Sequence, residues 1–344
     1  MRRRKSLLAV VILVLLLSAC RDVGGGGGDS GGGDSGGGVQ QITLVTPNPS
    51  AIVLANFCAA QGEGYLEDEG LEVTFEAVDG SGAVLQALVA GQGQIGLPGP
   101  GPVLNARSQG EEPVMFYNHY AQSLFGIIVP EDSDIKSVED LSGSTLGVGT
   151  VDGTEVTFSR AILDDVGLTF DEDYEILPVG DGGPATAAFE RGEIDAYAAA
   201  LPDFVIIESR GLPIEEITPE EYLDLFGNGF AAMQSYIDEN PDVIEGFTRA
   251  MLKGTEFALE NKEETLEHCA EVSPEEASDP ELVSDLYDFL LPRTKPVGGG
   301  TLGEYDADAW QRWHDAMVES GELEEPVDDI DSAYTNEFVE KASR

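Results

Sequence analysis

The sequence predicts an α/β protein of two similar lobes with a ligand cleft between them, and three observations carry the prediction. Between residues 145 and 204 a short apolar strand, a Gly-rich or Pro-containing turn and a helix follow one another three times. Residues 41–120 read as βαβαβαβ, the pattern of a parallel sheet covered on both faces. Residues 85–97 (LQALVAGQGQIGL) and 186–197 (TAAFERGEIDAY) share one plan, a helix, a glycine, a polar pair and a short apolar strand. One construction is thus used twice.

In the middle of the chain, Leu146 and Val148 form a strand that runs into Gly149-Thr150-Val151-Asp152-Gly153-Thr154. The helix after it carries Val156, Phe158, Ile162, Leu163 and Val166 on one face. A strand at 175–179, the turn Gly180-Asp181-Gly182-Gly183-Pro184 and a helix at 185–191 stopped by Gly192 make the second unit. A strand at 194–199 and a helix opened by Leu201-Pro202-Asp203 make the third. Such turns bring three helix N-termini, with their free N–H groups, to the carboxyl edge of the sheet, where open α/β folds bind ligands. The glycines let the backbone come close to a small molecule.

Earlier in the chain, strands are expected at 41–46, 71–77, 95–97 and 114–120, with helices ending near Gly64, at 83–90 and at 103–109. The turns between them are Pro47-Asn48-Pro49-Ser50, Asp79-Gly80-Ser81-Gly82 and Pro98-Gly99-Pro100-Gly101-Pro102. Apolar stretches at 125–129 and 227–233 are assigned as the two crossings between lobes. Beyond them, Val243, Ile244, Phe247, Ala250, Met251, Gly254, Phe257 and Ala258 recur at helical spacing, and 282–290 and 309–318 add two helices. These helices are expected to buttress the first lobe.

The N-terminus has the form of an export signal: Arg2-Arg3-Arg4-Lys5, an unbroken apolar run over 7–17, then Leu17-Ser18-Ala19-Cys20. The run is shorter than the roughly 20 residues of a membrane-spanning helix. Residues 24–38 contain only Gly, Asp and Ser and are expected to form a tether spanning about 20 Å. Without residues 1–19 the chain keeps 14 basic and 65 acidic residues, a formal charge of −51. That charge argues against nucleic acid and against attraction to anionic lipid, and it suggests a high-salt habitat. With Cys20 assigned to the anchor, Cys58 and Cys269 are expected as two separate thiols, although export would permit a bridge.

The segments 55–75 (ANFCAAQGEGYLEDEGLEVTF), 85–101, 125–150 (FGIIVPEDSDIKSVEDLSGSTLGVGT), 180–198 (GDGGPATAAFERGEIDAYA) and 334–338 (YTNEF) together resemble a known family. It is the type II solute-binding proteins of ABC transporters, in the nitrate, sulfonate, taurine and thiamine-pyrimidine-precursor branch. The stretch before Cys20 likewise resembles a lipobox, in which that cysteine is lipidated. The resemblance implies the type II periplasmic-binding-protein fold with two crossovers: a signal peptide (1–19), a lipidated tether (20–38), lobe 1 (39–128), lobe 2 (129–229) and a helical return to lobe 1 (230–344). It implies a monomer on the extracytoplasmic face of the membrane that needs no cofactor, catalyses nothing, and delivers a small molecule to an ABC permease and its ATPase.

Carried over by motif position, the expected ligand residues are Thr46, Asn48, Asn56, Phe57, Gly99, Gly101, His119, Tyr120, Thr150, Asp152, Gly153, Thr154, Asp181, Gly182, Gly183, Tyr197 and Asp203. The segments holding them contain no Lys or Arg, and Pro98, Pro100 and Pro102 remove N–H donors from one helix start. Rings at Phe57, Tyr117, His119, Tyr120, Tyr197 and Phe204 offer stacking faces, and Asp152, Asp181 and Asp203 accept hydrogen bonds. That combination favours a nitrogen heteroaromatic such as a thiamine pyrimidine precursor. The rival ligands are taurine, alkanesulfonate or nitrate held by backbone N–H groups, and the rival class is an enzyme of the thiamine-pyrimidine-synthase-like fold. Beyond the tether the sequence contains no HExxH, no GxSxG and no Cys–His set with metal spacing.

Overall fold

The computed structural model describes residues 38–344 apart from 152, 220, 221, 223, 224, 320 and 324. The expected signal peptide, the lipidation site Cys20, the tether before Gly38 and the ligand residue Asp152 lie outside the described residues.

The first half alternates as expected: β1 (Gln40–Thr46), α1 (Ala55–Gly62), α2 (Tyr65–Asp68), β2 (Leu71–Ala77), α3 (Gly80–Val89), β3 (Ile95–Gly96), α4 (Pro100–Ser108) and β4 (Pro113–Tyr117). Next come β5 (Phe125–Pro130), β6 (Thr145–Val148), α5 (Thr154–Asp165), β7 (Glu175–Pro178), α6 (Gly183–Arg191), β8 (Ala196–Ala200), α7 (Leu201–Ser209) and β9 (Ile214–Glu216). The chain ends with β10 (Phe230–Met233), α8 (Gln234–Glu239), α9 (Pro241–Glu260), α10 (Lys262–Val272), α11 (Pro280–Leu290), α12 (Ala307–Glu319) and α13 (Glu337–Ala342).

Two five-stranded sheets result, ordered β2-β1-β3-β10-β4 and β7-β6-β8-β5-β9. β1 runs parallel to β2 and β3, as β6 does to β7 and β8. The fourth strand of each sheet, β10 or β5, is antiparallel to its neighbours. The sheets are therefore mixed, and the two stretches assigned as crossings (125–129 and 227–233) contain strands, β5 and β10. The connections lie just before them and pair with each other: the Tyr120 N–H donates to the Asn228 carbonyl (3.1 Å) and the Gly227 N–H to the Tyr120 carbonyl (2.8 Å).

A continuous apolar core joins the lobes, with Val45, Val103 and Met115 from the first and Ile127, Leu146 and Ile162 from the second. Trp310 and Trp313 belong to it. The Trp313 ring centroid lies 6.1 Å from that of Phe158 in α5, so α12 braces both lobes, not the first alone. Elsewhere α7 meets α11, where Phe204 and Phe289 stack at 6.2 Å. Within the first lobe α9 lies directly on α1, and a Cβ at Gly254 would come 2.1 Å from the Asn56 carbonyl oxygen. Only a glycine admits that approach.

Cys58 in α1 and Cys269 in α10 form a disulfide, their Cα atoms 4.9 Å apart and their positions 211 residues apart in sequence. The expectation of two separate thiols was wrong. The packing of α10 on α1 brings the cysteines together across a separation at which spacing carries no information.

Candidate functional site

The carboxyl ends of β1, β3, β6 and β8 converge on a slot between the lobes with ≈ 610 Å³ of empty space, part of it open to solvent. From the first lobe come Pro47, Asn48 and Val53 after β1, Gly80 and Ser81 at the start of α3, and Leu97 after β3. Tyr120, Leu124, Phe125 and Asn228 enter from the connections and the start of β5. The polar groups on this wall are held in place: the Asn228 amide donates to the Leu97 carbonyl (3.0 Å) and the Gly99 N–H to Ser81 Oγ (3.1 Å).

The second lobe supplies Thr150, Glu155, Asp181, Ala200 and Pro202. Glu155 folds back over its own turn and accepts from the Thr150 N–H (3.3 Å). Asp181, in the turn before α6, reaches over the turn before α5 so closely that a Cβ at Gly149 would lie 1.9 Å from its Oδ1. The Tyr197 hydroxyl sits behind it, 3.2 Å from Asp203 Oδ2 and 3.4 Å from Asp181 Oδ1. Outward, the slot opens through Asn48, Val53, Asp181, Ala200 and Pro202 into a groove that adds Ser50, Gly182, Gly183, Asp203, Arg210 and Glu276.

This carboxyl cluster is electrostatically crowded. Burial, followed by the charges of Asp181 and Glu155, pushes the Asp203 pKa well up. Asp181 is exposed at the residue level, yet desolvation of its carboxylate and then the charge of Asp79 raise its pKa as well. A carboxyl whose pKa is higher folded than unfolded keeps a proton the unfolded chain has lost. Its stability contribution is whole below the ordinary value of 3.8 and declines as pH rises from there toward the folded value. Asp203→Asn should therefore flatten the fall in thermal stability of the ligand-free protein as pH rises above about 4. Identical slopes for wild type and variant would mean that Asp203 is ionised in the fold.

Of the expected ligand residues, Asn48, Tyr120, Thr150 and Asp181 line the slot, and Gly182, Gly183 and Asp203 line the groove beside Asp181. Tyr197 lies beneath them, and Thr46 supports the first turn, its hydroxyl donating to the Asn48 carbonyl (2.8 Å). Gly99 and Thr154 meet each other across the lobes, since a Cβ at Gly99 would sit 1.8 Å from Thr154 Oγ1. Gly101 and Gly153 line a separate groove with Gln86, Asn105 and Arg160.

Asn56, Phe57 and His119 are placed away from the slot. The Asn56 amide donates to His119 Nδ1 (3.1 Å) and to Thr255 Oγ1 (3.1 Å), and His119 Nε2–H donates to the Val53 carbonyl (2.9 Å). Their polar atoms are spent internally, and burial pulls the His119 pKa down to about 4. Phe57 and Tyr117 are core, and Phe204 stacks on Phe289. Tyr120 is thus the one ring among the six expected that the slot uses. Phe125, Glu155, Asn228, Arg210 and Glu276 were missed. For Glu155 a signal existed, because it sits in the first turn of the helix that follows the Gly-rich loop.

Two lobes of this topology, facing each other across a cleft at the carboxyl ends of their parallel strands, define the type II solute-binding-protein fold. The chain belongs to the NMT1/THI5-like family, which it matches over residues 52–265. It is 26% identical over 306 residues to a riboflavin-binding protein, RibY, of Chloroflexus aurantiacus, covering 88% of this chain and 86% of the relative. It is 25% identical to a formylaminopyrimidine-binding protein of Halalkalibacterium halodurans (81% and 84% covered). A 4-amino-5-hydroxymethyl-2-methylpyrimidine phosphate synthase of Legionella pneumophila is 26% identical over a shorter stretch, 62% of this chain and 65% of the synthase. Among solved structures, the periplasmic aliphatic sulphonate-binding protein SsuA of Escherichia coli superposes with a TM-score of 0.66 at 19% identity (85% and 91% covered), which shows the fold.

Proposed function

We propose that this protein is the extracytoplasmic solute-binding lipoprotein of an ABC importer. In this reading it captures a nitrogen-containing aromatic solute, of the kind of a thiamine pyrimidine precursor, and presents it as a monomer to a permease and its ATPase. Lobe 2 (129–229) would close on lobe 1 (39–128 and 230–344), with Cys20 as the lipid anchor. The observation that carries the ligand class is the slot itself. Tyr120, Phe125 and Leu124 supply ring and apolar surface, Asp181 and Glu155 supply acceptors, and its described lining contains neither Lys nor Arg. Stacking surface beside carboxylates suits a flat solute rich in N–H donors. Two relatives are named for riboflavin and formylaminopyrimidine, both nitrogen heteroaromatics.

One observation favours a second reading. Arg210 lies over the first turn of α6 at the edge of the groove, where it could meet a sulfonate or nitrate. A thermal-shift titration of the purified protein separates the two. A binder gains RT ln(1 + [L]/Kd), about 2.7 kcal/mol at a hundredfold excess over Kd. Saturable stabilisation by an aminopyrimidine or a flavin is the expected result; a response to taurine, alkanesulfonate or nitrate alone would overturn the ligand class. Recovery of the bound heterocycle chemically unchanged is expected of a carrier, whereas its conversion would make the protein an enzyme like its synthase relative.

A further inference from the structure

The chain leaves the carboxyl end of β1 through Pro47-Asn48-Pro49-Ser50 and winds into a 3-10 turn, Ile52–Leu54, that continues into α1. This is the first-lobe position at which an open α/β sheet offers N–H donors to a ligand. The donors there are already engaged. Glu276, in the short 3-10 turn Glu276–Ser278 between α10 and α11, lays its carboxylate on them. Its Oε1 accepts from Ser50 Oγ (2.5 Å), and its Oε2 accepts from the N–H groups of Ala51 (2.8 Å) and Ile52 (3.3 Å). Ser50 and Glu276 both line the outer groove, and Asn48 and Val53, on either side of the turn, line groove and slot alike.

Resting on the reading of this cleft as the solute site, we infer that Glu276 is a specificity-determining residue: its carboxylate is the resident anion of the first lobe. It excludes anionic solutes in two ways. Three donors that an oxyanion would require are occupied, and a fixed negative charge stands where that oxyanion would sit. Asp181 and Asp203 face the same groove from the second lobe, so a solute entering it meets acceptors on both walls. The turn that carries Glu276 comes shortly after α10, and the Cys58–Cys269 bridge ties α10 to α1, which continues from the 3-10 turn that Glu276 caps. The protein thereby holds its own counter-anion by a covalent tie.

The test is an anion titration of wild type and Glu276→Ala at constant ionic strength, with acetate or methanesulfonate replacing chloride and thermal unfolding as the readout. Glu276→Ala is expected to be stabilised saturably by either anion, with an apparent affinity at least about tenfold tighter than any wild-type response. Should the variant be unfolded in chloride, the same titration is read as recovery of cooperative unfolding, since a small carboxylate replaces the one removed. A variant indifferent to both anions, folded or not, would overturn the assignment, as would a wild type that responds as strongly as the variant. Failure of heterocycles to stabilise wild type would instead sink the proposed ligand class and leave the anion response of the variant still to be read.

Discussion

Replacing Asp181 with alanine is expected to weaken capture of a heteroaromatic solute by about 10- to 100-fold while leaving the protein folded. A hydrogen bond to a charged group contributes roughly 1.5–3 kcal/mol, and each 1.4 kcal/mol is a factor of ten in affinity. Asp181 is the carboxylate shared by slot and outer groove, so a solute occupying either part comes within its reach. The fold should not suffer, because desolvation and the nearby Asp79 already disfavour its charge and its own charge presses on Asp203. Removing it relieves that repulsion. Calorimetric titration gives the affinity and thermal unfolding the stability; an unchanged Kd would take Asp181 out of the site.

Loss of the disulfide should have the largest effect on stability. Removing a native bridge costs about 2–5 kcal/mol in small secreted domains, and longer closed loops lie toward the upper end in the chain-entropy account. At about 2.1 cal/mol/K of unfolding entropy per residue, each kcal/mol moves the Tm of a body this size by about 1.5–2 °C, so reduction or the Cys58→Ala/Cys269→Ala pair should lower Tm by roughly 3–10 °C. The loosened element would be α10, and with it the turn that positions Glu276. Thermal unfolding with and without reductant measures this; coincident midpoints would show that helix packing alone holds α10 on α1. A buried, paired disulfide also agrees with the export signal expected from residues 1–19, since oxidising compartments preserve such bonds.

The sequence disclosed the elements and the end of the sheets at which a site would form. Strand alternation, Gly-rich turns and helical spacing act over a few residues, so β6, α5, β7, α6, β8 and α7 were legible close to where they lie. The same turns placed Asn48, Thr150, Asp181 and Gly182 at the sheet edge where the slot and groove lie, because the turns follow the carboxyl ends of parallel strands. Motif position could not tell an inward-facing residue from an outward-facing one. Asn56, Phe57 and His119 therefore entered the expected ligand set while their side chains are spent in the core.

Contacts between distant parts of the chain were decided by the tertiary structure alone. Cys58 meets Cys269, Ser50 meets Glu276 and Gly99 meets Thr154 only because whole helices and lobes dock, and no local pattern reports that docking. The antiparallel fourth strand of each sheet has the same origin, since β10 and β5 read simply as apolar runs until a neighbouring strand edge claims them. What the sequence determined by itself was the alternation of strand and helix, the turns that gather at one sheet edge, and a strongly acidic surface. Which acids face the cleft, and which one fills the place of an anion, rests on side chains from remote segments packing into one low-dielectric space, where burial and neighbouring charge set their chemistry.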